Sequence, residues 1–287
     1  MRQKTEKAGG AGNVSQGEQP FRIIHAGALR RPIEYCLELF CPRYTGLVVE
    51  ITGAGSRECA RRVLAGERYD VVALADQAIF AELLVPHLLE EYFVFATDQI
   101  VIGYNRSSRG SSNIDPDNWM DVLLSPGVTY ARSDQNLDPC GYRTLMVWQL
   151  AEKFYGRPGL FAALQAGCPP HHVYPKSIDS AGALLEGKVD YAFLYASVAR
   201  QLGFSYLVLP SKINLSNPAR VDYYATAAVT VEGKVPGEHT TLRGQPIEFA
   251  VGVPLTALHP DLARAFIELL TGPEGHSILE KCGLIPC

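Results

Sequence analysis

The chain has 287 residues, 47% of them hydrophobic and 20% charged, enough apolar material for one large domain or two smaller ones. Its net charge of −4 leaves no basic excess and so no electrostatic footprint for nucleic acid. No apolar run approaches the roughly 18 residues that cross a bilayer.

Residues 1–20, MRQKTEKAGGAGNVSQGEQP, offer almost nothing that a core could bury and predict a disordered tail or tether. The stretch reads equally as an expression remnant or as the stalk of a tethered extracytoplasmic protein. From Phe21 onward, strand-like and helix-like segments alternate. FRIIHAG leads into PIEYCLELFCPRY, LVVEITG into SRECARRVLAG, and YDVVALA into QAIFAELLVP. A β-rich stretch, YFVFATDQIVIGYN, precedes a helical NWMDVLL. VTYARS then meets a long helix that starts near Cys140, and AGALLEG leads through VDYAFLY to ASVARQLG and YLVLP. The strands ATAAVTV and IEFAVGV come before two closing helices, PDLARAFIELLTG and EGHSILEKCG. Alternation of this kind predicts an α/β fold with parallel sheet.

Small and polar residues gather at the strand-to-helix junctions. These read His25-Ala26-Gly27-Ala28, Gly53-Ala54-Gly55-Ser56, Asp138-Pro139 and Tyr195-Ala196-Ser197. In open α/β sheets ligands bind beyond the carboxyl ends of strands, against helix N-termini whose free amides favour anions. The glycine junctions lack the G-x-G-x-x-G and G-x-x-x-x-G-K-[ST] patterns, so neither a dinucleotide nor a nucleoside triphosphate is supported. Each junction alone is ordinary turn chemistry. Together, drawn from both halves of the chain, they point to a small ligand held between two lobes.

Seven cysteines make an odd count with no zinc spacing and no C-x-x-C, so no metal site is expected and at most one disulfide. His171-His172 beside Pro169-Pro170 reads as an exposed turn. Cys140 at a helix start is a candidate nucleophile, yet no His lies near it in sequence to act as its base. Tyr223-Tyr224 reads as strand packing rather than a stacking platform.

FRIIHAGAL, GAGSRECARRV, YDVVALAD, DPCGYRTLM, YAFLYASVA, LPSKINL and GPEGHSILEKCG resemble segments of the molybdate/tungstate-binding proteins of ABC importers, in particular their archaeal-type branch. The resemblance runs in the same order from Arg22 to Ile285, and DPCGYR with its helix is the most specific part. It implies a type II periplasmic-binding-protein fold, with two α/β lobes joined by crossover strands and a ligand cleft between them. Lobe 1 would combine residues 21–104 with 226–287, and lobe 2 would hold residues 105–225. The resemblance further implies a periplasmic or cell-surface location, a membrane permease as partner, a monomer, and binding without catalysis or cofactor. Lipid anchoring through a removed N-terminal segment is the form of tether it suggests.

Residue by residue, the resemblance places Ser56, Asp138 and Tyr195 at ligand positions, and Ala28 where the family has a serine. Ala28 removes a hydroxyl donor and leaves a backbone amide. In the archaeal branch two carboxylates complete an octahedral metal shell, and the second falls on Ser177. Arg30 and Arg31 stand where the family has small or polar residues and would add positive charge at the cleft mouth. The expected ligand is a small oxyanion, molybdate- or tungstate-like, bound more weakly than in the octahedral type. Phosphate or sulfate is the alternative, with a sensor or an enzyme on the same scaffold behind both. Asp138 is the awkward residue, because a carboxylate within about 4 Å of an ionised oxyanion repels it by about 1 kcal/mol or more. Three roles stay open for it: coordinating the metal centre, accepting a hydrogen bond from a protonated oxyanion, or only capping its helix.

Overall fold

The computed structural model describes residues 12–13, 19–233, 235 and 237–287, so most of the expected tail over residues 1–20 lies outside the described residues. The chain begins with β1 (Gly12–Asn13), β2 (Phe21–Ala26), α1 (Arg30–Phe40), β3 (Tyr44–Thr45), β4 (Val49–Ala54), α2 (Ser56–Leu64) and β5 (Val71–Leu74). It continues through β6 (Phe93–Thr97), β7 (Ile100–Tyr104), α3 (Trp119–Leu123), β8 (Tyr130–Ser133), α4 (Pro139–Phe154) and α5 (Leu160–Gly167). Next come β9 (Val173–Tyr174), α6 (Ser177–Leu185), β10 (Tyr191–Tyr195), α7 (Ala196–Gln201), β11 (Ser205–Val208) and α8 (Val221–Tyr224). The chain closes with β12 (Ala228–Glu232), β13 (His239–Arg243), β14 (Glu248–Gly252), α9 (Pro260–Thr271), α10 (Pro273–Lys281) and β15 (Ile285–Pro286).

Two main sheets form the two lobes. The first has six strands in the order β15-β6-β14-β5-β2-β4, and the second has five in the order β11-β7-β10-β8-β9. Each is mixed, which corrects the expectation of parallel sheet. In the first, β2 runs parallel to β4 and β5, with Ile23 opposite both Ile51 and Val71, whereas β14 is antiparallel to both its neighbours, β5 and β6. In the second, β10 is parallel to β8 and antiparallel to β7, with Tyr195 opposite Ile100. Strands β7 and β14, with which the chain enters each sheet after leaving the other, both run against the parallel strands. Only Asp98 and Gln99 separate β6 in one sheet from β7 in the other. The change of sheet thus falls ahead of residue 104, and the chain re-enters the first sheet at Glu248. Strands β12 and β13 form a hairpin belonging to neither main sheet. Tyr223-Tyr224, expected in a strand, lies on the short helix α8, where Tyr224 is buried.

Helix α1 buries Ile33, Cys36 and Phe40, spaced three and four apart on one face. Phe40 packs on Phe21 of β2 and, edge-on at 5.4 Å, on Phe266 of α9. The other face of that sheet carries Cys59 and Val63 of α2 with Phe80 and Leu83. Helix α4 differs, since nearly every residue from Pro139 to Ala151 is buried, as expected of a helix covered on all sides. Its Trp148 stacks edge-on against Phe193 of β10 at 5.4 Å and Tyr130 of β8 at 6.1 Å. Its far side meets the hairpin, where Gln149 exchanges two hydrogen bonds with the Ala228 backbone. That packing fixes the start of α4 at the boundary between lobes.

Candidate functional site

At this boundary the two lobes touch through their helix starts. Gly55 precedes α2, and a Cβ there would run into the Leu137 carbonyl oxygen and lie 3.4 Å from the Asp138 Cβ. Glycine is what lets the loop before α4 come so close. The Leu137 carbonyl accepts from the Arg57 amide at 3.1 Å and the Glu58 amide at 3.4 Å. Those are free amides of the α2 N-terminus, donors that the sequence reading reserves for a ligand. Ser56, fully buried, uses its hydroxyl oxygen to accept from the Ala75 amide at 3.0 Å.

On the second lobe Asp138 caps α4. Its Oδ1 accepts from the Cys140 amide at 2.8 Å and the Ser133 hydroxyl at 3.2 Å. Its Oδ2 accepts from the Ser177 amide at the start of α6, at 3.4 Å. Burial pushes the Asp138 carboxyl up to about 6, against the pull of these hydrogen bonds and the Arg143 charge. Ser177 is 1% exposed, and its hydroxyl has no hydrogen-bond partner. Beside it, Ile178 packs on the first-lobe turn Gly27–Leu29 that holds buried Ala28, so closely that a Cβ on Gly27 would lie 3.2 Å from its Cγ2.

Tyr195 ends β10 fully buried, and its hydroxyl oxygen accepts from Arg143 Nη1 at 2.8 Å. Burial holds its phenol well above the usual tyrosine range despite that guanidinium. Burial also opposes the Arg143 charge, but Asp76 with the neighbouring Tyr195 and Tyr142 outweighs it, and the guanidinium stays firmly protonated. The structure thus brings Ala28, Ser56, Asp138, Ser177 and Tyr195 to one interface. Arg30 and Arg31 are engaged elsewhere, Arg30 with Glu34 at 2.9 Å and Arg31 with the Gln201 carbonyl across the lobes. Cys140 is buried, and burial together with Asp138 raises its thiol well above the ordinary value, which opposes a thiolate nucleophile. All seven cysteines are free thiols.

Arg143 and Asp76 escaped the sequence reading. The available signal was a lone arginine on an otherwise buried helix, with no acidic neighbour at helical spacing to pair it.

Two α/β lobes meeting over helix starts, with the chain crossing between them, define a two-lobe binding protein. Residues 21–285 match the family described as bacterial extracellular solute-binding protein, and the chain belongs to that family. An uncharacterized solute-binding protein of Petrotoga mobilis is 42% identical, over 91% of this chain and 82% of that protein. The molybdate/tungstate-binding protein WtpA of Thermococcus kodakarensis is 32% identical, over 93% of this chain and 82% of its own length. Among solved structures, the periplasmic molybdate-binding protein of Azotobacter vinelandii superposes with a TM-score of 0.67 at 17% identity, covering 92% of this chain and 98% of that one. The sulfate-binding protein SubI of Mycobacterium tuberculosis gives 0.69 at 14% identity, covering 94% and 87%. At such identities these structures speak for the fold alone. Among the described residues no helix is long and apolar enough to cross a membrane.

Proposed function

We propose that this solute-binding protein serves an ABC importer by holding a small oxyanion, molybdate- or tungstate-like, between its lobes without chemical change. The carrying observation is the Ser177 hydroxyl, buried and unpartnered at the N-terminus of α6. A helix start with a spare donor suits an anion, and a buried hydroxyl left unpaired costs about 1–3 kcal/mol. Ser56 and Tyr195 add hydroxyl hydrogens, and Ala28 adds a backbone amide. The molybdate/tungstate-binding relatives support the choice of oxyanion. Binding without catalysis fits the buried, protonated Cys140. A periplasmic or cell-surface location, a lipid anchor, a permease partner and a monomeric state follow from the same reading.

Asp138 is both a cap and a ligand group in this proposal. Its Oδ2 carries one long hydrogen bond, and a carboxyl poised near pH 6 serves as acceptor, donor or metal ligand. Isothermal titration with molybdate, tungstate, sulfate and phosphate tests the reading. Binding of at least one is expected, with Ser177→Glu plus Ala28→Ser tightening tungstate about tenfold or more through a second carboxylate and a restored hydroxyl. Binding of a neutral or cationic solute by a protein that ignores all four anions overturns it.

A further inference from the structure

Away from Ser177, two consecutive residues of α4 reach out of the second lobe into the first. Tyr142 donates its hydroxyl to the Asp76 carboxylate. Arg143 lies 3.1 Å from the same carboxylate and donates to the Ala75 carbonyl at 2.5 Å. Ala75 and Asp76 directly follow β5, so every one of these contacts joins the lobes. Arg143 is 2% exposed and Asp76 8% exposed, which makes the pair an internal one. The same guanidinium donates back to the Tyr195 hydroxyl within its own lobe. With that oxygen already accepting, the phenolic hydrogen is free to be offered to a ligand.

We propose that Arg143 and Asp76 form an interlobe latch, in which Arg143 positions the Tyr195 hydroxyl while its pairing with Asp76 holds the lobes shut. The positioning half rests on the oxyanion reading of Tyr195; the closing half rests only on contacts between lobes. Burying two ions costs desolvation that their attraction and added hydrogen bonds roughly offset, so the pair by itself closes the protein only weakly. A ligand that accepts from Tyr195 favours the closed arrangement and so shifts the balance. A cavity of about 280 Å³, bordered by Asp76, Tyr142, Arg143 and Arg243 of the hairpin, lies against the pair.

Stopped-flow tryptophan fluorescence of tungstate or molybdate release tests the latch, with wild type, Asp76→Asn, Arg143→Lys and the double variant compared. Asp76→Asn is expected to speed release about tenfold or more while leaving association unchanged. Arg143→Lys keeps the charge but cannot bridge Asp76, Ala75 and Tyr195 together, so it should not rescue. The double variant should lose less than the product of the single effects, because both break one link. Tyr142→Phe removes one donor without stranding a charge and should speed release by a smaller factor, which keeps the test open if Asp76→Asn folds poorly. Small-angle scattering of unliganded protein should show a larger radius of gyration for the latch variants than for wild type. Unchanged release rates with unchanged radii overturn the latch. If no oxyanion binds wild type, the oxyanion reading falls and scattering alone decides the closing half.

Discussion

Helices α2 and α6 both begin with a buried serine at the lobe boundary, and their ends are treated in opposite ways. At α2 the protein satisfies itself, since the Ser56 oxygen takes the Ala75 amide and the Leu137 carbonyl takes the next two amides. At α6 the Ser177 hydroxyl is left without a partner, and its amide makes one long bond to Asp138. The first end closes the lobes on each other, and the second keeps capacity in reserve. Similar sequence signals, a serine opening a helix after a strand or turn, therefore mark two different jobs. What separates them is whether a distant backbone carbonyl reaches the helix start.

The largest test of this contrast lies in Asp138, which borders the reserved end. Its carboxyl is raised to about 6 by burial, so the folded protein binds that proton more tightly than the unfolded chain, whose carboxylates titrate near 4. Stability contributed by the protonated form is complete below about pH 4 and is lost as pH rises through about 6. Asp138→Asn removes that loss, on the order of 3 kcal/mol at pH 8. Asn remains a good helix cap, although its amide nitrogen would meet the Ser177 amide, donor against donor, and give back part of the gain. Thermal melts without ligand should show the variant above wild type at pH 8, with that advantage gone by pH 4. A variant that melts below wild type at pH 8 would mean the carboxylate is better solvated than its burial indicates.

The serines themselves should part company. Ser177→Ala deletes an unpaired hydroxyl, so folding stability stays level or rises slightly, while oxyanion affinity drops by about 1.5–3 kcal/mol. Ser56→Ala strands the Ala75 amide in the interior and should lower folding stability by about 1–3 kcal/mol. Titration calorimetry and denaturant melts on both variants read the two effects. Equal stability losses in the pair would erase the distinction between a structural and a reserved helix start.

Much of this was legible from local pattern. Strand–helix alternation carried the α/β class, the family resemblance carried the division into lobes, and the four junctions singled out Ala28, Ser56, Asp138 and Tyr195, which meet at one boundary. Strand direction was not legible, because β7 and β14 look like any apolar strand and are reversed by the path of the chain between lobes. Strand β13, HTTLR, went unseen, since it alternates between exposed and half-buried positions and carries little apolar signal. Arg143 was visible in DPCGYR, but its partners, Ala75, Asp76 and Tyr195, lie more than fifty positions away. The Leu137 carbonyl that fills the α2 end is backbone, which no residue identity announces.

Glu232, on the hairpin, tests the self-satisfied end with the smallest expected effect. Its carbonyl accepts from Arg57 Nη2 at 2.7 Å and its amide donates to the Asn136 side chain at 3.0 Å, one bond to each lobe. Its carboxylate pairs with Arg61 at 2.9 Å, with the two side chains 57% and 27% exposed. The backbone bonds hold a fully buried arginine, which also pairs with Glu82 at 2.8 Å, and they survive any change of side chain. Only the exposed ion pair is lost in Glu232→Gln, and such pairs contribute about 0–1 kcal/mol. Oxyanion affinity should therefore fall by no more than about fivefold at low salt. Raising ionic strength to about 0.5 M should erase even that difference, because screening weakens exposed pairs first. A loss beyond about tenfold that salt leaves untouched would show that the Glu232 side chain itself, and not its backbone, clasps the lobes at α2.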